Sequence, residues 1–197
     1  AMWEMYNFRG ELLQELKAKG YEITVICPPD EKNAHYFTDL GIKLLTVPMS
    51  RKGTNIKEDL QLVKNLLKVY KKEKFDLVFH YTIKPNIYGT LAAKLAGIKS
   101  IAITTGLGYV FLHNNITSLI AKFMYKFSLA FANEVWFLND DDMNIFLDKD
   151  LITERQAFKL PSEGINTKRF VPKEKNRKDS KTVFLMIARV LYDKGFN

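Results

Sequence analysis

Phe75-Asp-Leu-Val-Phe-His-Tyr-Thr-Ile-Lys-Pro-Asn-Ile-Tyr-Gly-Thr-Leu-Ala-Ala-Lys-Leu-Ala-Gly-Ile-Lys-Ser-Ile-Ala-Ile-Thr-Thr105 reads as a strand, a helix and a second strand in succession. Phe75–Tyr81 and Ile98–Thr105 are short apolar runs. Between them Asn86–Leu95 has helical composition, with Pro85 placed to open the helix and Gly97 to end it. Two parallel strands joined by a helix need both faces covered, which is why neither run shows a clean alternation of polar and apolar residues.

The same alternation extends in both directions. Upstream, the spacing predicts a helix over Tyr6–Lys19 (Phe8, Leu12, Leu13 and Leu16 on one face, Gly20 to stop it), a strand over Tyr21–Pro28, a helix over Glu31–Asp39 and a strand over Ile42–Pro48. Residues 56–73 form an amphipathic helix with Ile56, Leu60, Val63, Leu67 and Tyr70 on one stripe. Downstream come a helix over Ile116–Ala132, a strand over Glu134–Leu138 and a capped helix from Asp140 to Leu147. The fold class is α/β, a Rossmann-like, doubly wound parallel sheet.

With 47% apolar and 13% aromatic residues in 197, the chain has the material for a sizeable core, and disorder is excluded. The single cysteine, Cys27, allows no intramolecular disulfide and no cysteine-based zinc site. Neither a long uncharged apolar run nor a basic segment followed by an apolar signal core is present in the sequence, so two expectations stand, a cytoplasmic protein or one peripheral to a membrane, in the latter case on the cytoplasmic face of the inner membrane. The formal charge is +8, but nine Lys and Arg against three acids fall in Gly164–Asn197 and give +6 of it. A nucleic-acid face would spread over a folded surface with aromatics between the charges, so no nucleic-acid partner is expected; Thr167–Lys181 reads as a solvated connector.

Ligands of open α/β sheets bind beyond the carboxyl ends of the strands. Four clusters sit there: His80–Asn86, Thr104–Tyr109, Asn139–Asp142 and Glu163–Asn166. His80 suits a site role or a core histidine satisfied by a backbone carbonyl. Lys84-Pro85 suits a helix start, and the Gly106/Gly108 pair suits a tight turn or the approach of backbone N–H groups to an anion. Asp140–Asp142 fit capping better than catalysis. No third glycine completes a dinucleotide fingerprint, no His or carboxylate spacing supports a metal, and no Ser or Cys nucleophile motif occurs. The helix around Leu119–Phe131 is apolar nearly all round, with Lys122 and Lys126 one turn apart. It suits a membrane-facing surface or a core-packed helix whose lysines reach solvent.

Six segments in order, Tyr6-Asn-Phe-Arg9, His80 to Gly89, Thr105 to Phe111, Phe137 to Asp141, Leu160 to Asn166 and Ala188 to Gly195, resemble retaining GT-B glycosyltransferases of family GT4, in particular the bacterial capsule and lipid-linked-oligosaccharide subgroup. The resemblance implies the N-terminal, acceptor-side half of a GT-B fold, a nucleotide-sugar donor, UDP-linked, with no cofactor or metal, and a polyprenyl-phosphate-linked or polysaccharide acceptor receiving a hexosamine. Arg189 and Lys194 match the family's pair for the donor diphosphate, His80 matches the histidine that faces the reacting sugar, and Arg9, Lys84, Gly106 and Gly108 are candidates for acceptor phosphate. Two other readings stand beside it: a noncatalytic acceptor-binding or scaffold domain, and a GT-B-fold nucleotide-sugar 2-epimerase.

The resemblance divides the chain into residues 1–171, an acceptor-side domain lacking its first strand; 172–181, a basic linker; and 182–197, the first strand and turn of a truncated donor-binding domain. In a sheet ordered 3-2-1-4-5 the absent strand is central. Thr182–Arg189 is apolar enough to fill that slot, by folding back or by swapping into a second copy as a strand-swapped homodimer.

Overall fold

A computed structural model describes residues 2–50, 55–107, 111, 115–161, 163–172 and 182–187. The chain divides into two units, Ala1–Glu163 and Gly164–Asn197.

The first unit is the expected alternation. Its elements are α1 (Met2–Ala18), β1 (Thr24–Cys27), α2 (His35–Asp39), β2 (Lys43–Thr46), α3 (Ile56–Glu73), β3 (Leu77–Tyr81), a π-helical turn (Pro85–Gly89), α4 (Thr90–Ala96), β4 (Lys99–Thr104), α5 (Ile116–Leu129), β5 (Glu134–Phe137), α6 (Asp140–Asp148), a 3-10 turn (Glu154–Gln156) and β6 (Ala157–Lys159). All strand pairs are parallel. They form two ladders, β1 with β2 and β3-β4-β5-β6 in order, with Val25 opposite Leu44, Phe79 opposite Ile101, Ala102 opposite Val135 and Trp136 opposite Phe158. If β1 and β2 take positions 2 and 3 of the expected order, and β3 and β4 positions 4 and 5, the interruption between the ladders falls at the central position. Among the described residues no strand occupies it.

The fold-back expected for Thr182–Arg189 is therefore corrected for its described part. Residues 182–187 carry no strand, and Phe184 and Ile187 are 92% and 87% exposed. Without the lateral hydrogen bonds of a ladder, apolarity alone does not make a strand. Residues 188 and 189, and 173–181 of the basic linker, lie outside the described residues. In the second unit Asn166 caps its own turn, its Oδ1 accepting from the backbone N–H of Lys168 (2.9 Å) and Arg169 (3.0 Å).

Two helices bury faces other than those expected. On α1 the buried residues are Met2, Arg9, Gly10 and Leu13, whereas Phe8 and Leu12 are exposed. On α3 they are Asp59, Leu62, Leu66 and Tyr70; Tyr70 belongs to the expected stripe, while the others lie one position round from its Leu60, Val63 and Leu67. In both cases a charged residue lies on the buried face because an ion-pair partner awaits it there, which apolar periodicity cannot register. Asn55, Asn115 and Asn139 cap α3, α5 and α6, accepting from the N–H of Lys57, Ser118 and Asp142, and Gly97 ends α4 at φ 73° as expected. Three apolar clusters fill the unit, centred on Phe137, Phe146 and Leu129; on Leu62, Leu66 and Val78; and on Met2, Val25 and Phe37.

Candidate functional site at the carboxyl edge of the sheet

The carboxyl ends of β3 and β4 turn sharply. Thr82 follows β3 at φ 74°, in the left-handed region that a β-branched residue rarely enters, and Gly106 follows β4 at φ 141°. A strained non-glycine residue at about 1–3 kcal/mol persists only where its surroundings hold it, and such residues gather at ligand sites. Beside Thr82 the chain enters the π-helical turn, whose wider winding is itself frequent at functional sites. The turn buries Asn86, whose Nδ2 donates to the Ile103 carbonyl at 3.0 Å and so ties the end of β3 to the end of β4.

Between these two ends lies a cavity of about 100 Å³, lined by Thr82, Asn86, Thr104, Thr105, Gly106 and Tyr125. Thr104 Oγ1 is buried there with no hydrogen-bond partner among the described residues. A buried hydroxyl left unpaired costs roughly 1–3 kcal/mol, so its position in a cavity wall suits it to a ligand group or a water. Burial raises the Tyr125 hydroxyl above its ordinary pKa, so it is a neutral phenol at pH 7.

A second cavity of about 220 Å³ opens on the same edge, between Pro48 and Met49 after β2, the first turns of α3 and Lys84. Here Lys84 Nζ meets Asp59 Oδ1 at 2.7 Å while the Tyr88 hydroxyl donates to Oδ2 at 2.7 Å. The Lys84 charge is thus balanced at contact distance by a buried carboxylate. Arg9 is balanced in the same way. Its guanidinium pairs with Glu163, lies 4.7 Å from the centre of the Tyr81 ring and donates to the Phe8 carbonyl at 3.0 Å, which joins α1, the end of β3 and the segment after β6. Neither cation presents a free charge to an acceptor phosphate.

His80 does not line either cavity. It is 4% exposed, with Nε2 at 3.0 Å from the Tyr70 hydroxyl and Nδ1 at 3.3 Å from Thr90 Oγ1, and burial pushes its pKa down to about 3. Of the two arrangements the sequence allowed this is the core one, with two side-chain hydroxyls as partners in place of the expected backbone carbonyl. Its ring rests on Gly89, where a Cβ would stand 2.6 Å from Cδ2 and 2.7 Å from Nε2. Asp140 pairs with Lys159 at 2.7 Å in the first turn of α6, where it suits the helix dipole, while the cap itself is Asn139. Gly106 is at the first cavity; Gly108, Arg189 and Lys194 lie outside the described residues.

Sequence reasoning passed over Asp59, whereas Thr82 and Thr104 lay inside the clusters His80–Asn86 and Thr104–Tyr109 without a role of their own. The only signal for Asp59 was a carboxylate one position off the apolar stripe of residues 56–73.

Residues 4–139 match the model of the family described as "Glycosyl transferase 4-like". The chain is 32% identical to the N,N'-diacetylbacillosaminyl-diphospho-undecaprenol alpha-1,3-N-acetylgalactosaminyltransferase of Campylobacter jejuni, over 97% of this chain and 54% of that protein. It is 25% identical to the UDP-Gal:alpha-D-GlcNAc-diphosphoundecaprenol alpha-1,3-galactosyltransferase of Escherichia coli, over 86% of this chain and 46% of that protein. The chain spans about half the length of these relatives. A glycosyltransferase structure from Rickettsia africae matches with a TM-score of 0.58 at 18% identity, over 85% of this chain and 41% of that one. Anabaena HepE in complex with UDP matches at 0.57 and 16%, over 79% and 41%. These two likenesses establish the fold, an N-terminal half of the GT-B type. On the strength of the matched residues and the 32% identity across nearly its whole length, the chain belongs to the glycosyl transferase 4-like family.

Proposed function

We propose that the protein carrying this chain moves a sugar, a hexosamine, from a UDP-linked donor to a polyprenyl-diphosphate-linked acceptor, and that this chain holds the acceptor. The observation that carries the reading is the 32% identity over 97% of the chain to an enzyme named for a diphospho-undecaprenol acceptor. In the transfer an acceptor hydroxyl oxygen forms the new bond to the anomeric carbon. The bond from that carbon to the nucleoside diphosphate breaks, and the hydroxyl proton leaves with the diphosphate or to water.

The chemistry of the two cavities suits the sugar of the acceptor better than its diphosphate. The first is lined by hydroxyls and an amide beside the apolar Ile83 and Ile103, and the cation of the second is already neutralised by Asp59. Such walls hydrogen-bond hydroxyl and acetamido groups, whereas an unscreened diphosphate calls for uncompensated cations. Arg189 and Lys194 are assigned to the donor diphosphate, where two fixed cations stabilise charge gathering on the leaving group. Replacing either by Ala in the intact protein weakens donor use by about 1.5–3 kcal/mol. The working location is the cytoplasmic face of the inner membrane, where a lipid-linked acceptor and a soluble donor meet.

The test is a transfer assay of the intact protein with UDP-N-acetylhexosamines and a short-prenyl diphosphate sugar, read by mass spectrometry. A product one hexosamine heavier supports the proposal. No product with any such donor and acceptor overturns it, and conversion of the donor to its 2-epimer without an acceptor would replace it by the epimerase reading.

A further inference from the structure

Helix α5 is apolar on both faces. Toward the protein it buries Ser118, Tyr125, Ser128 and Leu129, with Tyr125, Leu129 and the partly buried Met124 in the Phe137–Phe146 cluster, while Ile116, Leu119, Ile120, Phe123 and Phe127 are between 52% and 76% exposed. At about 100° per residue these five, with Phe131 just beyond the helix, fall within roughly 120° of arc opposite the buried face. The outward stripe is therefore continuous and almost wholly apolar. Single exposed apolar residues are ordinary on a protein surface, but a row of six on one face marks a docking surface.

The charge around the stripe names what docks. Residues 116–132 contain no Asp or Glu. Lys122 and Lys126 lie on one flank of the arc, next to Leu119, and Lys94 of α4 reaches to 5.6 Å from the Phe131 ring centre. Lysines bordering an apolar stripe extend their ammonium groups to a plane of negative headgroups while the stripe enters the acyl boundary. The helix cannot cross a bilayer, since no helix among the described residues is long and apolar enough.

We infer that α5 is a lipid-embedded anchor, lying flat in the surface of an anionic bilayer with Ile116, Leu119, Ile120, Phe123, Phe127 and Phe131 inserted and Lys94, Lys122 and Lys126 at the headgroups. The inference rests on the reading that the acceptor is lipid-linked. It adds a structural device by which the acceptor cavities are held within reach of a headgroup.

Flotation of the 197-residue chain with vesicles of phosphatidylcholine alone, or mixed with phosphatidylglycerol, tests it. The parent is expected to float with the anionic vesicles, Phe123→Glu/Phe127→Glu to partition about tenfold less or weaker still, and Lys122→Glu/Lys126→Glu to lose the preference for phosphatidylglycerol. All four side chains point away from the core or sit at its margin, and circular dichroism confirms that the variants are folded. A parent that stays in solution, one that sediments as a dimer through this helix instead, or a Phe123→Glu/Phe127→Glu variant that floats like the parent overturns the inference. A separate arm isolates the function. The intact protein bearing Phe123→Glu/Phe127→Glu is expected to keep transfer to a water-soluble short-prenyl acceptor and to lose it on vesicle-embedded acceptor. Absence of transfer to both acceptors by the unsubstituted protein defeats the functional reading while leaving the flotation result intact.

Discussion

Gly89→Ala decides whether the His80 arrangement is packed as described. By local reasoning the substitution should help. Gly89 has ordinary right-handed helical angles, φ −66° and ψ −43°, and Ala is favoured over Gly in a helix by about 1 kcal/mol. The packing opposes this. A Cβ at Gly89 would lie 2.6 Å from His80 Cδ2, whereas carbon atoms in contact sit roughly 3.5–4.0 Å apart, so the ring must retreat by about 1 Å. It has little freedom to do so, because its two nitrogens are held by Tyr70 and Thr90 at 3.0 and 3.3 Å. Overpacking at about 1–3 kcal/mol, plus a buried hydrogen bond lost at about 1–3 kcal/mol, exceeds the gain. The net expectation is a destabilisation of about 1–5 kcal/mol in urea denaturation followed by circular dichroism. The double variant His80→Ser/Gly89→Ala should show a coupling of opposite sign, since the ring that clashes is gone. Gly89→Ala equal to or more stable than the parent would refute the reasoning.

Two further outcomes follow from the same interior and its edge. Because the folded-state pKa of His80, about 3, lies below its ordinary 6.5, the unfolded chain takes up a proton that the folded chain refuses. Its contribution is fully present above pH 6.5 and is lost as the pH falls toward 3, at up to about 1.4 kcal/mol per pH unit. Relative to His80→Gln, parent stability measured by denaturant titration should therefore fall between pH 7 and pH 5 with about that slope; parallel profiles would contradict it. Asp59→Ala strands the Lys84 ammonium in a mostly buried position and should cost about 2–4 kcal/mol, while Asp59→Ala/Lys84→Met should recover much of it. Equal stabilities of the single and double variants would show that the pair is not coupled.

What the sequence disclosed and what it withheld divide along a physical line. Strand and helix alternation and the Gly97 stop are local in origin and were legible in the pattern, whereas the asparagine caps at Asn55, Asn115 and Asn139 went unread. The short strand Ala157–Lys159 was not legible, because three residues carry no period and owe their strand state to Val135, Trp136 and Phe137 alongside. The face of α3 was misplaced by one residue because Asp59 is buried only by virtue of Lys84 and Tyr88, some 25 and 29 positions away. Likewise the partner of Arg9 is 154 positions distant in Glu163. The location of the site at the carboxyl edge followed from fold class alone. The pairings at that edge did not, since Arg9 and Lys84 each meet a carboxylate and His80 is buried against Tyr70.

The central claim is that the carboxyl edge of this sheet receives the sugar of a lipid-linked acceptor. The most direct measurement is photo-crosslinking of the intact protein with a short-prenyl diphosphate sugar bearing a photoreactive group on its acetamido position, followed by peptide mapping. Labels on Thr82–Asn86 and Thr104–Gly106, displaced by excess unmodified acceptor and not by UDP alone, are the predicted result. Labelling confined to other segments, or undiminished by the acceptor, would contradict the account.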